Sequence, residues 1–136
     1  MGLKLSYEIW GDGAAEVLLL HGFTGDHSAW DHLRPKLGPR VRALAVDLPG
    51  HGQSDLPEGM GQSGFEETVD ALSELVGKTA QSSVDVIGYS QGARLGIGLA
   101  VRRPQRVRRL VAPRWARSPA AERTQSPRQT DWRAHR

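Results

Sequence analysis

The stretch Val84-Asp85-Val86-Ile87-Gly88-Tyr89-Ser90-Gln91-Gly92-Ala93-Arg94 constrains this chain more than any other. A short β-branched run leads directly into Gly-x-Ser-x-Gly and then into helix-forming sequence, the pattern of a nucleophile elbow. The spacing follows from the chemistry. A serine hydroxyl is a poor nucleophile and must be presented bare, at a sharp turn, to a base and an electrophile. Gly88 and Gly92 flank Ser90 because side chains there would collide with the neighbouring strand and helix. A helix starting at about Gln91 turns its free N–H groups toward the point where an oxyanion would form.

Hydrophobic patterning around this elbow predicts alternating strands and helices. Leu3 to Trp10 alternates apolar and polar residues, as a half-buried strand does. Val17-Leu18-Leu19-Leu20 suits a strand covered on both faces of a parallel sheet. A glycine-rich turn, His21 to Gly25, follows it. Trp30, Leu33 and Leu37 fall at helical spacing, which predicts a helix over 27–37 capped by Asp26. Val41 to Val46 is the next strand, and Asp47 to Ser54 is loop by composition. Phe65 to Val76 reads as an amphipathic helix, 84–87 as the elbow strand, 91–102 as a helix and 107–111 as a last strand. This alternation implies a parallel sheet with right-handed crossovers.

Charge is divided unevenly. Residues 113–136 hold six arginines against Glu122 and Asp131, a net of +4, whereas the other 112 residues carry 12 basic and 13 acidic groups. From Ala112 onward there is no Leu, Ile, Val, Phe or Met. Such a segment cannot bury enough apolar surface to offset its ordering entropy, so residues 112–136 are expected to be disordered. The chain has no cysteine, which excludes disulfides and thiolate metal sites. No apolar window approaches a membrane span and no leader is read, so a soluble cytoplasmic protein is expected.

With the serine elbow, His21-Gly22-Phe23-Thr24-Gly25 and Asp47-Leu48-Pro49-Gly50-His51-Gly52-Gln53-Ser54 in one order, the chain resembles the α/β-hydrolase superfamily across about residues 5–111. The resemblance implies a partial α/β-hydrolase fold over residues 1–111: a mostly parallel sheet with flanking helices. Within the superfamily, His-Gly-Phe-Thr-Gly before Trp30, and Gly-Tyr-Ser-x-Gly-x-Arg ending at Arg94, look like the 2-succinyl-6-hydroxy-2,4-cyclohexadiene-1-carboxylate synthase (MenH-like) family. That family is a lyase of menaquinone biosynthesis that abstracts a proton and eliminates pyruvate. General carboxylic-ester hydrolases share Gly-Tyr-Ser-Gln-Gly and are the alternative.

Carried over by the resemblance, Ser90 is the catalytic serine, and the N–H groups of Phe23 and Gln91 are the oxyanion-hole donors. Arg94 and Tyr89 are candidate contacts to a small-molecule substrate, because a guanidinium fork matches a carboxylate. Arg94 reads equally as a solvated surface residue, and Tyr89 as a packing residue. His21 is expected to stabilise its turn rather than act as a base. His51 and Asp47 are expected to hold their loop, and Trp10, Trp30 and Phe65 to be core or half-core. No metal or organic cofactor is implied.

The superfamily's triad runs serine, acid, histidine along the chain. After Ser90 the only acidic residues are Glu122 and Asp131 and the only histidine is His135. The expectation is therefore the N-terminal half of a hydrolase, interrupted by a frameshift or gene decay near codon 112, with little or no activity by itself. Its last strand would leave an exposed edge open to self-association. A non-catalytic role for the arginine-rich segment with nucleic acid or an acidic partner is the competing class, disfavoured by the dispersed charges. A separately encoded half supplying the acid and histidine is a third reading.

Overall fold

The computed structural model describes residues 3–57 and 61–112. The expected disorder of 112–136, the domain boundary near 111, and Glu122, Asp131 and His135 therefore fall, Ala112 apart, outside the described residues. Among the described residues are five strands: β1 (Tyr7–Trp10), β2 (Ala15–Leu20), β3 (Val41–Val46), β4 (Val84–Gly88) and β5 (Val107–Val111). Helix α1 (Gln62–Thr79) joins β3 to β4, and α2 (Gln91–Arg102) joins β4 to β5. The sheet order is β1-β3-β2-β4-β5, parallel throughout except β1, which runs antiparallel to β3.

The continuous apolar run of β2 divides between two cores because successive side chains in a strand point to opposite faces. Leu18 and Leu20 join Leu44, Val46, Val84 and Val86 beneath Val69, Leu72 and Val76 of α1 and Leu95 and Leu99 of α2. Val17 and Leu19 join Ala43 and Ala45 against Trp10 and Trp30. Both α-helices therefore lie on one face.

The second face differs from the sequence expectation. Residues 27–37 do not form an α-helix but two 3-10 turns, His27–Trp30 and Arg34–Lys36. The visible cause is Pro35, which has no N–H and whose ring would strike the Asp31 carbonyl in an α-helix. The His27 amide, unpaired within a helix in either form, donates to Asp47 Oδ1 at 2.7 Å. Bonds three residues apart result, such as Leu33 N to the Trp30 carbonyl at 2.9 Å. Asp26 caps the first turn as expected, accepting from Ser28 N at 2.8 Å.

Candidate functional site

The site grows from the end of β4. Between Gly88 and Gln91 the chain reverses direction in two residues, and Ser90 takes φ 56° and ψ −113°. It is the one non-glycine with positive φ among the described residues. An L residue is strained there, because its Cβ crowds the adjacent backbone. The flanking glycines make the turn fit. A Cβ on Gly88 would lie 2.5 Å from the Gly92 carbonyl oxygen, and one on Gly92 would meet the Leu20 carbonyl and lie 2.6 Å from the His21 oxygen. Both obstacles are backbone. The elbow is then pinned to β2 by Tyr89 N donating to the Leu20 carbonyl at 3.0 Å.

The turn after β2 presses on the elbow from the other side. A Cβ on Gly22 would sit 2.9 Å from the Tyr89 ring and 3.6 Å from Ser90 Cβ. His21 sets this turn. It is fully buried, its Nδ1 donates to the Gly22 carbonyl at 2.6 Å, and its Nε2 accepts from Leu48 N at 2.9 Å. Both ring nitrogens are thereby engaged in one neutral tautomer. Burial pushes the His21 pKa down, partly opposed by the bond to Gly22. The Gly22 carbonyl also accepts from Gly25 N at 3.1 Å. Because a peptide unit is planar and trans, holding that carbonyl on one side aims the Phe23 N–H to the other. Neither the Phe23 nor the Gln91 amide meets an acceptor among the described residues.

The loop after β3 braces the same region. Asp47 is fully buried, and its carboxylate accepts from the His27 amide, from His27 Nδ1 at 2.8 Å and from Gln53 N at 3.0 Å. Burial alone would raise its pKa; the two amides and the His27 ring outweigh that and hold it below the ordinary carboxylate range. The same hydrogen bond raises the His27 pKa, against a smaller opposing effect of burial. His51 bridges the Pro49 and Phe23 carbonyls. Asp26, His27 and Asp47 bring candidate metal-ligand atoms within 4.8 Å, but they are already bonded to one another or to nearby amides.

Tyr89 and Ser90 thus meet the Gly22 turn at one end of the sheet, while Gln91 and Arg94 line a cleft with Pro49, Phe65 and Thr68. Phe23 is 71% exposed. Two clefts border the elbow, one at Gln91 and one at Tyr89. One, of about 810 Å³, is walled by Pro49, Gln62, Phe65, Thr68, Gln91 and Arg94 among others. The second, of about 260 Å³, is walled by His21, Gly22, Ala29, Trp30, His32 and Tyr89. Arg94 is exposed and has no ion-pair partner among the described residues. No side chain hydrogen-bonds to Ser90 Oγ among them either, and residues 91–112 contain no Asp, Glu or His. Sequence reasoning missed the His27–Asp47 pair, which only the packing of two loops creates, and the cleft beside Trp30.

Comparisons with known proteins agree with this geometry. The model of the alpha/beta hydrolase family matches residues 17–136. A Bacillus subtilis (strain 168) protein named "Putative 2-succinyl-6-hydroxy-2,4-cyclohexadiene-1-carboxylate synthase" is 35% identical over 111 residues, covering 81% of this chain and 40% of that protein. The pimeloyl-[acyl-carrier protein] methyl ester esterase of Neisseria meningitidis serogroup C is 31% identical over 112 residues, covering 82% and 41%. The crystal structure of a hydrolase from Pseudomonas aeruginosa PA01 superposes with a TM-score of 0.73 at 29% identity, covering 89% of this chain and 46% of that one. The chain spans about 40% of the length of the two named relatives. With the elbow, the glycine packing and the family match in agreement, this chain belongs to the alpha/beta hydrolase family.

Proposed function

We propose that Ser90 is the catalytic serine of a MenH-like lyase acting on a small carboxylate-bearing substrate, with the Phe23 and Gln91 amides as oxyanion donors. The observation that carries this reading is the strained backbone of Ser90, held by backbone packing at Gly88 and Gly92 beside a turn whose Phe23 amide has no acceptor among the described residues. Strain of this kind is retained where presentation of a side chain matters. Arg94, one turn into α2 on the wall of the larger cleft, is the proposed partner of a substrate carboxylate, and Tyr89, on the wall of the smaller cleft, a second substrate contact. The Bacillus relative supports the synthase reaction, in which a proton is abstracted and pyruvate eliminated. The general base and its orienting acid lie outside the described residues in this reading. A cytoplasmic location and a free small-molecule substrate belong to the same proposal; no helix among the described residues is long and apolar enough to cross a membrane.

The Neisseria relative supports ester hydrolysis as the second reading. Self-association along β5 is a further proposal. Beyond β4, that strand pairs with no other among the described residues, and its Arg108 and Arg109 are both clamped by Asp85.

A serine-directed fluorophosphonate and a pyruvate-release assay separate these ideas. Slow labelling of Ser90, abolished by Ser90→Ala, is expected. Labelling that survives Ser90→Ala refutes the assignment. Pyruvate release that falls on Arg94→Gln supports the synthase, whereas hydrolysis of p-nitrophenyl esters without pyruvate release supports the esterase. Sedimentation at micromolar concentration reads the oligomeric state, and a monomer at every concentration removes the β5 proposal.

A further inference from the structure

We infer that His51 is a positioning residue which, as an imidazolium, clamps the Phe23 carbonyl and so fixes the turn carrying the proposed oxyanion donor. The inference rests on the Phe23 amide being that donor. Two histidines border the turn, and their partners differ in kind. His21 Nδ1 faces the Gly22 carbonyl and its Nε2 faces the Leu48 amide, one acceptor and one donor, which suits a neutral ring. His51 faces two acceptors. Its Nδ1 lies 3.0 Å from the Pro49 carbonyl oxygen, and its Nε2 meets the Phe23 carbonyl oxygen. A neutral imidazole owns one N–H, so both bonds are made only when the ring carries its second proton.

The loop after β3 holds the ring in place. His51 stands between Gly50 at φ 76° and Gly52 at φ 51°, and a Cβ on Gly52 would overlap the Asp47 carboxylate. His51 N donates to the Leu48 carbonyl at 2.9 Å, and its own carbonyl accepts from Ser54 N at 3.1 Å. The ring is half-buried, so its proton can pass to water. His21 packs against it with ring centroids 5.0 Å apart, and the Phe23 ring at 5.9 Å. No carboxylate hydrogen-bonds to His51 among the described residues. Asp47 is taken by His27 and Gln53, Asp26 by Ser28, and Asp55 by the Lys4 amide.

The clamp completes the hold on Phe23. The peptide before it is fixed through the Gly22 carbonyl, which accepts from His21 and from Gly25; the peptide after it is fixed through the Phe23 carbonyl by His51. Because peptide units are planar, fixing both leaves residue 23 no free rotation, and its N–H keeps one aim. When the proton leaves, one ring nitrogen turns a lone pair toward a carbonyl oxygen, and that contact opens. Loss at Nε2 frees the Phe23 carbonyl outright. Loss at Nδ1 frees the ring from its own loop. In both cases Phe23 is no longer tied to the loop after β3.

The test uses the full ¹⁵N-labelled chain across a pH series, with the midpoint read from the His51 ring nitrogens themselves. Below the midpoint both ring nitrogens should be protonated. The Gly25 amide, corrected for intrinsic exchange, should there be about threefold to tenfold better protected than above it, the range of one hydrogen bond. His51→Gln offers a donor whose state does not change with pH, and its Gly25 protection should be flat. Fluorophosphonate labelling of Ser90 is compared in the two proteins at each pH, so that the serine's own pH dependence cancels. The unsubstituted chain should label about threefold to tenfold faster below the midpoint and at a similar rate above it. A ring that stays singly protonated throughout, a Gly25 amide indifferent to the midpoint, or a labelling ratio that does not change across it overturns the inference. Should His51→Gln fail to fold, the ring and Gly25 signals of the unsubstituted chain decide. Absence of labelling removes the catalytic reading of Ser90, and those same signals still decide the clamp.

Discussion

Replacing Ser90 by glycine should stabilise this fold, although glycine usually weakens one. Ser90 holds φ 56° and ψ −113°, outside the left-handed helical basin, where a Cβ is crowded and glycine is at ease. Such a conformation costs about 1–3 kcal/mol. Glycine gains extra freedom in the unfolded chain, which offsets about 0.4–1 kcal/mol of the relief. The net is about 1 kcal/mol in favour of Ser90→Gly. Ser90→Ala is the proper reference, because it removes the hydroxyl but keeps the Cβ, and no hydrogen bond to that hydroxyl is present among the described residues. For a domain of about 110 residues, 1 kcal/mol corresponds to about 4 °C in Tm. Thermal and urea unfolding of the two variants side by side measures the difference. If Ser90→Gly unfolds at or below the temperature of Ser90→Ala, the elbow stores no strain, and the main support for Ser90 as a presented serine is lost.

Other perturbations test the parts around it. Gly92→Ala should cost about 3 kcal/mol or more, since its Cβ meets backbone carbonyls of β2 that cannot rotate away. Gly98→Ala should cost less, about 1 kcal/mol, because its Cβ meets only side chains, the Phe65 ring at 2.7 Å and Val69 Cγ2 at 3.1 Å, and helix propensity improves; similar urea midpoints for the two would refute the packing argument. The His27–Asp47 pair predicts two pH limbs. His27, raised, stabilises fully below its unfolded value of 6.5 and loses that contribution as pH rises through its folded value; Asp47, lowered, stabilises above 3.8 and loses it as pH falls through its folded value. Urea midpoints of His27→Gln should therefore lack the alkaline decline, and an unchanged slope would count against the pair. Asp85, held to about 2 chiefly by the Arg108 hydrogen bond and then by Arg109, contributes stability that is lost as pH falls from 3.8 toward 2. Asp85→Asn should flatten acid unfolding across that window.

The serine elbow is legible in sequence because its determinants are local. Two glycines, a β-branched run and a helix former within eleven residues leave few other conformations, and strand 41–46 and helix 91–102 appear at the expected bounds. The expected helix over 27–37 shows the limit of periodicity: its hydrophobic spacing is helical, but Pro35 lacks an N–H and its ring excludes the Asp31 carbonyl, so the segment closes as two 3-10 turns. His21 as a turn residue was readable from its place before the glycine. The way it aims the Phe23 amide was not, since that depends on Leu48 from another strand's loop.

The sequence alone determined which segments are strands, where the chain must turn sharply, and which family the motifs resemble. These follow from side-chain periodicity and backbone sterics, which act over a few residues. Tertiary structure decided that both α-helices share one face, that Arg108 and Arg109 converge on Asp85, and that His27 meets the buried Asp47 carboxylate. Each depends on groups far apart in sequence meeting at hydrogen-bond distance, and that is settled only when the sheet order and its register bring them together.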